Sequence, residues 1–217
     1  MTITKTLSAI VLIGFAVDAQ AQVRAQDGRT YQTVKIGKQE WMSENLNVSA
    51  FRNGATIPEV KTNAEWERFG VEGKPAWCFY ENNTANGAKY GKLYNWYAVN
   101  DPRGLAPQGW HIPTAADWTQ LTYYLGEDAA GIKMKSAEGG WKDNGNGSNS
   151  SGFNGLPGGY RDPIGVFDDN ECCGFWWSST KDNTGKIRPC SLRYNYDHLY
   201  RDHNEKEYGM SVRCLKD

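Results

Sequence analysis

Residues 139–159 set the tightest limit on what this chain can fold into. They are Gly, Asn and Ser punctuated by Trp141, Phe153 and Leu156. Glycine loses the most backbone freedom on ordering, and Asn and Ser side chains compete with regular ladders, so the stretch reads as a long loop. A loop of this kind in a compact domain is either functional or mobile, and its large apolar residues imply that it is pinned. The rest of the chain shares this character. Nine Trp, 12 Tyr and 24 Gly suit a loop-rich domain whose aromatics both fill a core and decorate a surface.

Short elements flank the loop. Residues 30–36 alternate, stop at Gly37 and resume at Gln39, which predicts a hairpin turning at Gly37-Lys38. Thr62 and Glu65 have capping-box spacing, and Trp66 with Phe69 forms a short apolar face before Gly70. Residues 76–80 and 93–99 read as strands. The clearest helix starts at Thr114, with Asp117 as an Asp variant of the capping box. Trp118, Leu121, Thr122 and Leu125 then fall on one face, and Gly126 ends it. A second short helical turn is expected near residues 131–135, and short strands near 174–180, 191–196 and 209–214. The pattern predicts an α+β domain with short antiparallel strands, one or two helices and one long Gly/Asn-rich loop.

The first residues carry a different message. Lys5 precedes an apolar run from Leu7 to Val17, and Ala19-Gln20-Ala21 places small residues at the two positions a signal peptidase needs. Residues 1–21 therefore read as a signal peptide and 22–217 as a single mature domain. About 11 apolar residues span only roughly 17 Å of helix against about 30 Å of hydrocarbon, so membrane insertion of the mature chain is not expected. The expected location is extracytoplasmic: periplasmic, cell-surface or secreted. Net charge is −1 with both signs interspersed, which does not suit a nucleic-acid binder. In that compartment Cys78, Cys172, Cys173, Cys190 and Cys214 are disulfide candidates, and their odd number leaves one thiol unpaired or bridged to another chain. Adjacent Cys172 and Cys173 are expected to bond elsewhere rather than to each other.

Several segments together resemble one known family. They are Val34-Lys-Ile-Gly, Trp41-Met-Ser-Glu-Asn-Leu46, Tyr90-Gly-Lys-Leu-Tyr-Asn-Trp96, Gly109-Trp-His-Ile-Pro-Thr114, Leu156-Pro-Gly-Gly-Tyr-Arg161, Phe175-Trp-Trp-Ser-Ser-Thr180 and Gly209-Met-Ser-Val-Arg-Cys214. This set is similar to the Fibrobacter succinogenes major paralogous domain of exported bacterial proteins. The resemblance implies a C-type lectin-like fold near the branch of formylglycine-generating enzymes, and it names no ligand. Ala106 stands where the family often has Cys, so a bond from there to Cys214 is not available.

Catalytic chemistry finds little support. The enzyme branch uses two cysteines near its C-terminal strands, whereas here Cys190 is followed five residues later by Asn195. Asp197-His198 and Asp202-His203 repeat after five residues, which on a strand places the imidazoles on opposite faces. His111 reads as a hydrogen-bonded structural residue. Asp168, Asp169 and Glu171 supply oxygen ligands in a row and make calcium a candidate cofactor, although calcium takes 6–8 oxygens. Trp176 and Trp177 are strand neighbours that face opposite ways, so one is expected outside the core as a flat platform for a sugar. Tyr160, Arg161, Tyr194 and Asp197 are candidates for polar contacts around it. Core packing of both indoles is the bland alternative.

The expected function is a non-enzymatic exported module that binds a glycan or an envelope protein. A structural or adhesion subunit of a surface assembly is the alternative, and an enzyme of unrecognised type is the second.

Overall fold

The structure is a computed structural model that describes residues 21–183, 185–201 and 203–217. The signal-peptide reading therefore lies outside the described residues, apart from Ala21. It has a mixed α and β architecture of several small sheets and short helices.

The first sheet grows from the expected hairpin. β1 (Gln22–Arg24) pairs with β2 (Thr30–Ile36), and β2 turns at Gly37 into β3 (Gln39–Met42) with Val34 opposite Trp41. Thr62 then caps α1 (Asn63–Val71) by accepting the Glu65 N–H. β4 (Trp77–Cys78), α2 (Thr84–Tyr90) and β5 (Leu93–Tyr94) follow. The strand expected over 93–99 stops after two residues. Asn95 caps a helical turn there by accepting the Ala98 N–H, and α3 (Trp96–Val99) begins.

β6 (Trp110–His111) leads into α4 (Ala115–Leu125), where both capping-box hydrogen bonds form and Trp118, Leu121, Thr122 and Leu125 are the buried positions. This helix was legible because its cap and apolar stripe are both local. α5 (Ala130–Met134) is the expected second turn. The predicted count of one or two helices was low, because α2 and α3 are too short to leave a periodic stripe.

The second sheet contains β7 (Gly158–Arg161), β8 (Phe167–Asn170), β9 (Cys173–Trp176), β10 (Cys190–Arg193) and β11 (Tyr200–Arg201), in the order β11-β10-β9-β7-β8. One of its pairings, β7 with β9, is parallel rather than antiparallel. β12 (Leu215–Lys216) returns to the first sheet, where Leu215 lies between Trp41 and His111.

Residues 209–214 do not form the expected strand. They run along the seam between elements and give their hydrogen bonds to several partners in turn. Gly209 pairs with Arg161, Met210 with Tyr94 and Ser211 with Trp176, while Val212 accepts from Leu46 and Cys214 from Met42. The long loop is pinned, as its aromatics implied: Trp141 and Phe153 are buried, and the backbone of Gly147 and Ser148 donates to Ser136 and Ile132.

Two expectations fail because of where the core lies. Trp176 and Trp177 do face opposite ways, but both are 0 % exposed. Trp176 packs in one apolar cluster with Trp41, Trp118 and Phe153, and Trp177 in another with Tyr94 and Met210. A strand with a core on each side buries consecutive residues, so neither indole can serve as a surface platform. The disulfide candidates likewise form no disulfide among the described residues. Cys78, Cys190 and Cys214 sit in three different apolar clusters, which keeps them apart. Cys172 and Cys173 meet each other instead of distant partners, with their Sγ atoms 3.0 Å apart.

Candidate functional site

The segment that follows β3 turns Glu44 outward and Asn45 inward. The Asn45 carboxamide is a junction. Its oxygen accepts from Trp176 Nε1 at 2.8 Å and from Arg213 Nη2 and Nε at 2.7 and 3.1 Å, and its nitrogen donates to the Tyr90 carbonyl at 2.8 Å. Arg213 is 0 % exposed and also donates to the carbonyls of Met42 and Phe153, with its guanidinium over the Phe153 ring. Burial draws its pKa down to about 9, so it stays a cation at neutral pH. Gly91, at φ +77°, lets the backbone pass Asn45 where a Cβ would come within 3.0 Å.

Above this floor lies a cleft of about 430 Å³. Arg29, Thr30, Glu44 and Asn47 line it from the hairpin side, Lys89 from α2, and Asn154 from the end of the long loop. Asn47 is held rigidly: its N–H donates to the Tyr31 hydroxyl, its Nδ2 to the Gly87 carbonyl, and its Oδ1 accepts from Lys92. Three cations (Arg29, Lys89 and Arg213) face one carboxylate, Glu44. The cleft offers fixed donors and acceptors for a polar ligand and prefers negative charge.

The ligand residues expected from sequence do not gather here or anywhere else. Arg161 is fully buried and donates to the carbonyls of Val60, Lys61 and Gly165, between the rings of Trp66 and Phe167. Tyr160 packs half-buried against Phe175 and Tyr208. Tyr194 lies beside the long loop, 5.8 Å below the Lys142 ammonium, and Asp197 is exposed. The calcium set also fails to assemble. Asp168 is exposed and its carboxylate accepts the Asp169 N–H, while Asp169 is half-buried at a left-handed turn of the backbone. Among the described residues, the potential metal ligands that come together are Asp169, Cys172 and Cys173. Glu171 is exposed and outside that group.

His111 is the structural histidine expected. Its Nδ1 lies 2.8 Å from Asp217 Oδ1 and its Nε2 3.3 Å from Asp117 Oδ2, the carboxylate that also caps α4. His198 stacks at 4.2 Å on Tyr200, while His203 pairs with Asp182. The two imidazoles have separate partners, and Asp202 lies outside the described residues.

The cleft leaves no aromatic or acidic-run signature in the sequence, because its key groups are a plain Asn, a plain Arg and scattered polar residues. A signal was present all the same. Glu44 and Asn45 lie in the Trp41–Leu46 segment, and Arg213 in the Gly209–Cys214 segment, among the stretches that carried the family resemblance. Among the described residues no helix is long and apolar enough to cross a membrane. Neither a curated protein nor a solved structure matches the chain. The family model of the Fibrobacter succinogenes major domain matches residues 34–216. Nearly the whole chain is covered, including every group on the floor of the cleft, and the protein belongs to the Fibrobacter succinogenes major domain family.

Proposed function

We propose that the protein is an exported, non-enzymatic binding module of C-type lectin-like fold that holds one or two sugar units of an acidic glycan in the cleft above Asn45 and Arg213. The rigid polar floor carries this reading. A sugar presents paired donors and acceptors, and recognition is cheapest when the protein's own groups are already fixed. About 430 Å³ falls within the range of small-ligand sites, and the excess of cations favours a carboxylated saccharide over a neutral one. Calcium plays no part in this mode: Glu44 is the one carboxylate in the lining, and the ion needs 6–8 oxygens. The leader expected over residues 1–21 supports an extracytoplasmic site of action.

Isothermal titration with neutral and uronic-acid oligosaccharides, with and without calcium, tests this. Binding of an acidic oligosaccharide that is indifferent to calcium and lost in Asn47→Ala is the expected result. Silence across the panel would sink it and shift weight to the surface-assembly role. In that role the exposed rings of Tyr123 and Tyr124 on α4 are the contact groups.

A further inference from the structure

We propose that Asp169, Cys172 and Cys173 form a binding site for one thiophilic divalent cation of the zinc class. Their ligand atoms all lie within 4.8 Å of one another. Within that group the two sulfurs are only 3.0 Å apart. Two thiols and one carboxylate thus meet at one point, and a divalent cation can replace the two thiol protons. The balance is simple: two S–H protons leave to solvent, two thiolates and one carboxylate bind, and the complex keeps one net negative charge.

The surroundings fit this charge. Arg193 stands opposite Cys173 on β10 and puts a cation beside the group. Asp169 and Glu171 both adopt left-handed backbone, at φ 62° each. That sharp turn brings a β8 carboxylate back over the thiols at the start of β9. It is anchored from outside, since Glu171 accepts from the Lys142 N–H at 2.7 Å and Cys172 from the Tyr194 N–H at 2.9 Å. A tetrahedral zinc with bonds of about 2.3 Å would hold its sulfurs about 3.8 Å apart. Rotation of half-buried Cys172 supplies the opening. Three protein ligands leave a fourth position for water. Two thiolates select a soft cation over calcium. The site is separate from the polar cleft and does not rest on the glycan reading.

The test is a cadmium titration of the full chain, kept reduced with a phosphine and followed by the thiolate-to-metal charge-transfer absorption. One equivalent should saturate the band, and zinc should compete it away. The Cys172→Ser/Cys173→Ser double variant should lose the band, and Asp169→Asn should keep it with affinity on the order of tenfold weaker. Should the double variant not fold, Cys172→Ser alone must lose about half of the band per bound ion at an unchanged metal-free melting temperature. No band at one equivalent would overturn the proposal. So would an undiminished band in either cysteine variant, since it would come from the buried thiols of Cys78, Cys190 or Cys214.

Discussion

Arg161 and Arg213 are both fully buried, both donate to main-chain carbonyls and both lie against aromatic rings. Their surroundings differ. Arg161 ties β7 to the segment that enters α1 through Val60, Lys61 and Asn63, and it is sealed beneath Trp66 and Phe167. Arg213 ties β12 to β3 and the long loop, and the polar cleft opens directly above it. The same device, a cation solvated by carbonyls, closes the fold in one place and forms the floor of a site in the other. What separates them is whether the neighbouring elements leave room for a ligand, not the arginine itself.

The strongest way to break the comparison is to remove each guanidinium. Arg161→Ala and Arg213→Ala each strand several buried carbonyls, and each should lose about 3–5 kcal/mol in urea unfolding. If either change costs less than about 1 kcal/mol, that arginine is not the tie described. Asn45→Ala should cost less, about 2–4 kcal/mol, because it orphans the Trp176 indole and one side of Arg213. It should also abolish glycan binding, which Arg161→Lys should leave intact.

Stability should also depend on pH. Burial raises the thiols of Cys78 (to about 12), Cys173 and Cys214. Above about pH 9 the unfolded chain releases these protons while the native chain keeps them, so unfolding becomes easier as pH rises. Each thiol contributes up to about 1.4 kcal/mol per pH unit in that window. Lys92 and Arg213, pulled down to about 8 and about 9 by burial, and Lys135, lowered by the same cause, work the other way, but Tyr80 and Tyr97, raised to about 12 by burial, join the thiols as pH nears 10. The denaturation midpoint in reductant should therefore fall above pH 9, and Cys78→Ala should flatten the slope. A midpoint still rising at pH 10 would contradict the assigned burial. The smallest effect on stability belongs to the cleft rim: Glu44→Gln should change stability by no more than about 0.5 kcal/mol while altering which glycans bind.

Legibility from sequence divided along the same line. The hairpin at Gly37, the Thr62 and Thr114 caps and the four-residue face of α4 were readable because each depends on neighbours within one turn. The seam at residues 209–214 was not. Its alternation resembles a strand, yet its partners come from β3, β5, β7 and β9, and only their arrangement decides that none runs long enough to form a ladder. Trp176 and Trp177 show the same limit. Their opposite orientations followed from strand geometry, but the second apolar cluster that buries the other face is assembled from distant segments. The acidic run at 168–171 looked like hard-ion ligands until the turn delivered one of its carboxylates to a pair of thiols.

The sequence by itself determined the family, the helix caps, the hairpin and the pinned long loop, because these rest on local hydrogen bonding, on the pattern of apolar residues and on motif order. Only the tertiary structure decided which arginine lies under a cleft, which cysteines meet and which aromatics reach solvent. Asn45 and Arg213 stand 168 residues apart in the chain and 2.7 Å apart in the fold. No local propensity encodes that contact; it arises when β12 returns to pair with β3 and the buried carbonyls left between them need a donor.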